Sequence, residues 1–203
     1  MAVLDVSGLT MSFADKKLYE NANFQLEKGE HMGVVGQNGA GKSTLIKILI
    51  GTELPVAGQI KWQKNTKIGY LDQYVDIPHG MTLIEFLHTA FSQLYKINDE
   101  MNQLYSDYAT SMDDQLLTKA GRLQEKLDAN NFYEVETEIE RVMSGLGLNE
   151  IGKDHVVSEM SGGQRSKIIL AKMLLENPDV ILLDEPTNYL DTAHIEWLID
   201  YLN

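Results

Sequence analysis

The chain has 203 residues, enough for one large domain or one domain with an insertion, and its formal net charge of −13 argues against wide contact with bare nucleic acid, so free DNA is not an expected partner. Cysteine is absent, which excludes disulfides and thiolate metal sites and favours a reducing, cytoplasmic compartment, and the five histidines show no ligand spacing. The start MAVLDVSGLT lacks a secretory leader, and no stretch reaches the roughly 20 apolar residues a membrane span needs, so a soluble protein without membrane insertion is expected.

From Val3 to Phe24 the alternation of apolar and polar residues predicts antiparallel strands. The run EHMGVVG reads as a buried strand entering a glycine-rich loop, followed by a helix from Lys42 to about Leu49. GTELPVAGQIKWQ reads as a turn and then a strand, and IGYLDQ as a further strand ending at Gln73. Residues 1–80 form the first part of a core on this reading.

After Pro78 and Gly80 the pattern turns helical, with Thr82 and Glu85 at capping-box spacing. Leu83, Leu87, Ala90, Leu94, Ile97, Met101, Leu104 and Tyr108 recur at alternating steps of four and three, predicting one helix of about 28 residues, roughly 40 Å long. A turn near Ala109–Met112 leads to a second seam at Leu116, Ala120, Leu123 and Leu127, so the pair reads as an antiparallel helical hairpin, an arm. A third helix would bury Val135, Ile139, Val142 and Leu146. Residues 81–150 form this helical part and are acidic, with 13 carboxylates against 5 cations, Lys96, Lys119, Arg122, Lys126 and Arg141. Residues 151–203 return to the core.

Three segments carry chemistry. Gly36–Thr44, GQNGAGKST, fits G-x-x-x-x-G-K-[ST], whose glycines let backbone N–H groups turn inward around phosphates while the Lys42 ammonium reaches the terminal ones. Ser161–Gln164, SGGQ, opens a helix with two glycines and small polar groups, an arrangement suited to a phosphate at a helix N-terminus. Val180–Asn188 is an apolar strand ending in two carboxylates, which places Asp184 beside magnesium and Glu185 where an attacking water sits.

In this order the three motifs resemble the ATP-binding cassette (ABC) superfamily, and the resemblance covers nearly the whole chain. It implies an α/β fold, a P-loop NTPase nucleotide-binding domain with an antiparallel β subdomain and an inserted helical subdomain carrying the hairpin arm. It also implies a second cassette, facing head to tail, with each SGGQ closing on the ATP of the other. The ligands implied are ATP and Mg²⁺. On the resemblance, Gly36, Gln37, Asn38, Gly39, Ala40, Gly41, Lys42, Ser43 and Thr44 wrap the phosphates, and the Ser43 hydroxyl coordinates the metal. Gln73 matches the glutamine that senses metal and γ-phosphate, Phe13 the aromatic that stacks on adenine, with Tyr19 as the alternative, and Asp191 the loop that links two ATP sites. Ser161, Gly162, Gly163 and Gln164 serve the partner's ATP, Asp184 holds magnesium, and Glu185, with Lys42 and Gln73, is catalytic. The family pattern places a histidine where Tyr189 stands, and a switch histidine further on than His194. The chain therefore reads as a truncated first cassette with weak or no hydrolysis of its own.

Together with SGGQRSKIILAKMLL and LLDEPTNYLD, the arm resembles the ABC-F family, proteins with two cassettes in one chain. The implied role is ribosome binding that adjusts translation or confers resistance to ribosome-targeting antibiotics. Two alternatives stand beside it. One is an ATPase subunit of a membrane transporter, its residues 81–150 being the ordinary helical subdomain; the other is a nucleotide-binding module without turnover.

Overall fold

The computed structural model describes residues 2–13, 16–71 and 77–203, the side chain of Thr187 excepted. The chain forms two compact units, one from residues 1–71 and 178–186 and the other from residues 72–177 and 187–203.

The first unit is built on two long strands, β1 (Ala2–Phe13) and β2 (Lys16–Glu27), whose alternating apolar residues demand one covered face. β1 pairs antiparallel with β2 and with β3 (Ala57–Trp62), giving the strand order β2-β1-β3. Leu4, Val6, Leu9 and Met11 on β1 are buried together with Ile48 and Leu49 of helix α1 (Lys42–Leu49). The Trp62 indole N–H donates to the Leu49 carbonyl at 3.0 Å, tying sheet to helix. At Gly58 (φ 109°) a Cβ would strike the backbone of Gly8 and Leu9, so the two strands approach closely only because no side chain is there. A separate parallel pair joins β4 (Ile68–Tyr70) to β5 (Val180–Leu182), with Lys67 N–H donating to Asp179 Oδ2 at 2.8 Å where the strands begin.

The expected strand at EHMGVVG is not formed: residues 31–37 pair with no described strand, and Val35 is 94% exposed. An apolar run states a demand for cover, but a strand also needs neighbours for its N–H and C=O groups, and among the described residues the parallel sheet of this unit holds β4 and β5 alone.

The second unit is helical. The capping box is present at the start of α2 (Leu83–His88), where Thr82 N–H donates to Glu85 Oε2 at 2.8 Å and Glu85 N–H returns to Thr82 Oγ1 at 3.4 Å. The single long helix expected from the heptad is broken by a 3₁₀ turn at Thr89–Phe91 before α3 (Ser92–Ser111). The seam serves two cores: α2 packs on α6 (Gly162–Leu175), whereas Leu94, Ile97, Met101 and Leu104 of α3 pack against Ala120, Leu123 and Leu127 of α4 (Asp114–Ala129). The 3₁₀ turn lets the chain change partner without losing apolar spacing. α3 and α4 form the expected antiparallel hairpin, turning at Met112 (φ 54°), with Asp113 Oδ1 accepting from Gln115 N–H at 2.9 Å. α5 (Val135–Gly145) buries Val135, Ile139 and Val142 as expected and packs on α6 and on α7 (Thr192–Leu202). No helix among the described residues is long and apolar enough to cross a membrane.

Candidate functional site

In the first unit, the loop after residue 35 closes through Ala40 N–H donating to Gln37 O at 3.0 Å, and then enters α1. Gly41 is the N-cap residue at φ 105°, and among the described residues no side chain caps the helix. A Cβ at Gly41 would lie 2.9 Å from Tyr19 Cε1, so β2 packs directly on this glycine. The Tyr19 hydroxyl also donates to Gly41 O at 3.3 Å, and burial raises the pKa of that phenol above its ordinary value. The first N–H groups of α1 are therefore left for an outside acceptor, at the end of the helix where an anion is favoured.

The Lys42 ammonium folds back over this loop, donating to Gly36 O at 3.0 Å and Gln37 O at 3.4 Å, and lies 4.0 Å from Glu185 Oε1. Glu185 follows β5 and adopts φ 48°, a left-handed conformation that L side chains rarely take. A cavity of about 480 Å³ is shared by Phe13, Asn38, Gly39, Gly41–Thr44 and Glu185, together with Lys16 and Leu18 of β2. Phe13 is half exposed there, with 48% of its surface open. The structure thus brings together the loop, Phe13 and Glu185 from the residues singled out in sequence. Asp184 is half-buried two residues beyond β5 and does not line the cavity. Gln73 lies outside the described residues. Lys16, whose ammonium donates to Gly39 O at 2.7 Å, was missed, since a lone lysine at a strand start carries no pattern.

Among the described residues, no group of three His, Cys, Asp or Glu side chains forms a metal site by itself. The donors fit a metal brought with phosphate: an uncapped helix start and a cavity lined by Lys42, Ser43 and Glu185 suit a magnesium–phosphate complex.

The second unit carries the other candidates. Ser161 is the N-cap residue of α6, and Ser161 and Gln164 form a capping box: Gln164 N–H donates to Ser161 Oγ at 3.3 Å and Ser161 N–H to Gln164 Oε1 at 2.9 Å. The S-x-x-Q spacing already contains this signal. Gly162 and Gly163 leave open space where a Cβ would stand. Asp191 caps α7, accepting from His194 N–H at 3.1 Å and pairing with its ring Nδ1 at 2.8 Å. That backbone hydrogen bond holds the Asp191 carboxyl below the usual carboxylate range, with smaller help from the His194 and Lys167 charges.

Residues 19–188 match the ABC transporter family. The ABC transporter ATP-binding protein YfmM of Bacillus subtilis is 43% identical over 205 residues, which span 100% of this chain and 40% of that protein. ABC transporter F family member 5 of Arabidopsis thaliana is 34% identical, across 97% of this chain and 29% of that protein. The energy-dependent translational throttle protein EttA of Escherichia coli is 34% identical, across 93% and 34%. The chain spans less than half the length of each of these relatives. Among solved structures, the ATP-binding subunit of an ABC transporter superposes with a TM-score of 0.66 at 22% identity, covering 99% of this chain and 73% of that one, a likeness of fold.

Proposed function

The chain belongs to the ABC transporter family of ATP-binding cassettes, and on that premise we propose that it is an ABC-F type cassette that binds and hydrolyses ATP within a cytoplasmic, ribosome-associated translation or antibiotic-resistance factor. The observation that carries the ATP reading is the cavity in which an uncapped helix start, the Lys42 ammonium and the Glu185 carboxylate meet.

On this reading the N–H groups of Gly39–Thr44 and the Lys42 ammonium hold the phosphates, and Phe13 stacks on the base. Ser43 and Asp184 would hold magnesium, which neutralises developing charge on the phosphates when bound. Glu185 orients and deprotonates the attacking water once nucleotide has drawn Lys42 away from it. Gln73 links this unit to the helical insertion, and Asp191 links two ATP sites.

Ser161–Gln164 serve the ATP of a second cassette. The open space over Gly162 and Gly163 supports this, since no contact among the described residues requires glycine there. Closure of two cassettes on two ATP molecules then biases the pose of the α3–α4 arm.

The arm is acidic overall, yet Lys119, Arg122 and Lys126 follow i, i+3, i+7 spacing on α4, all exposed and none in an ion pair among the described residues. They make a cationic stripe about 10 Å long. The stripe supports contact with a phosphate backbone despite the net charge.

The test is Glu185→Gln, with the matching change in the second cassette, in the full-length parent. ATP-dependent cosedimentation with ribosomes is the expected result. ATP binding without ribosome retention would overturn the translation reading and point to a membrane permease as partner.

A further inference from the structure

We infer that Lys16 is a second phosphate-binding cation of the nucleotide cavity, directed at the phosphate nearest the ribose; the inference rests on reading that cavity as a nucleotide site. Lys16 opens β2 and is the register partner of Phe13 at the end of β1. Antiparallel partners stand about 5 Å apart, so the ring proposed to carry the base and the root of the lysine are neighbours. From there the side chain extends to the loop, where its ammonium donates to Gly39 O at 2.7 Å and lines the same cavity as Lys42 and Ser43. A Cβ at Gly39 would lie 3.3 Å from that nitrogen, so the glycine keeps the ammonium against the loop backbone.

The two lysines of the cavity are differently engaged. Lys42 is held by two loop carbonyls and shares its charge with Glu185 at 4.0 Å. Among the described residues Lys16 gives one hydrogen bond, to one carbonyl, and an ammonium has three donors. It therefore keeps donors for a ligand without leaving its anchor on Gly39. A base on Phe13 with its terminal phosphates on the α1 N-terminus must carry its first phosphate past this ammonium. Lys16 thus sits where all phosphorylated forms of the nucleoside pass, whereas Lys42 acts on the terminal phosphates.

The experiment compares Lys16→Gln, Lys16→Arg, Lys17→Gln and Lys42→Ala in the full chain, titrating Mg-ATP, Mg-ADP and adenosine by calorimetry, with circular dichroism to confirm each fold. Lys17 is the neighbouring control, paired with Glu20 at 2.7 Å. Lys16→Gln is expected to weaken ATP and ADP by the same factor, about five- to tenfold, and to leave adenosine unchanged. Lys16→Arg should stay within about twofold of the parent, because the charge and donors persist. A purely structural role for Lys16 would weaken adenosine equally, and that result, or no change with ATP and ADP while Lys42→Ala weakens both, overturns the inference alone. If neither Lys42→Ala nor Lys16→Gln alters ATP affinity, the nucleotide-site reading fails and takes the inference with it.

Discussion

Two helices in this molecule begin with glycine and small polar residues, and they differ in how many of their first N–H groups the chain itself satisfies. α1 starts from Gly41 with no side-chain cap, its glycine fixed by a positive φ and by contact with Tyr19. α6 starts from Ser161 with a complete capping box, and among the described residues a Cβ on either of its two glycines would meet open space. The first arrangement withholds local partners so that a phosphate can supply them. The second satisfies the Ser161 and Gln164 N–H groups within the chain and leaves the backbone of Gly162 and Gly163 open, so its glycines make sense as a surface approached from outside. Similar composition therefore covers a site made within the chain and a site completed by another molecule.

Lys42→Ala strikes the first arrangement hardest: Mg-ATP affinity should fall by about tenfold to a hundredfold in a calorimetric titration, with the helix content kept. Gly41→Ala forces a side chain into a left-handed backbone and against Tyr19, and should cost about 2 kcal/mol in urea unfolding. At the second helix, Ser161→Ala removes half of the capping box and should cost about 1 kcal/mol, with ATP affinity unaltered. Gly162→Ala should leave stability unchanged or raise it by about 0.5 kcal/mol, yet abolish ATP turnover in the two-cassette parent; full turnover with that alanine would break the comparison.

A third helix start supplies the smallest effect. Asp191 caps α7 with a carboxyl whose folded pKa lies below its unfolded value of about 3.9. A depressed carboxylate contributes stability above the unfolded pKa and loses it as pH falls through the folded one. The difference in melting temperature between the parent and Asp191→Asn should therefore be present at neutral pH, begin to shrink as the pH falls below about 4, and be lost once the pH has passed the lower folded pKa.

Much of the fold is legible in the residues. The alternation along β1, the Thr82–Glu85 box, and the Leu123 and Leu127 seam each state a local demand that the structure meets. Partner identity is less legible. The steps from Leu83 to Tyr108 hold one apolar period, yet Leu83, Phe86 and Leu87 are buried in the part where α2 packs on α6, and Leu94 to Leu104 face α4. Periodicity reports which face is covered and is silent on what covers it. The same limit applies to Met32–Val35, an apolar run that reads as a strand and has no described strand beside it. The glycine loop and its lysine were legible because their spacing is itself the chemistry, whereas Lys16 reaches Gly39 across 23 positions of sequence and leaves no pattern to read.

The most direct measurement is the backbone amide spectrum of the isotopically labelled 203-residue chain with and without Mg-ADP, which brings phosphates without a γ-phosphate to close two cassettes. Large shifts at Gly39–Thr44 with none at Gly162–Gln164 are predicted. Shifts at Gly162–Gln164 in the single chain, or an unperturbed Gly39–Thr44 loop at saturating nucleotide, would contradict the account.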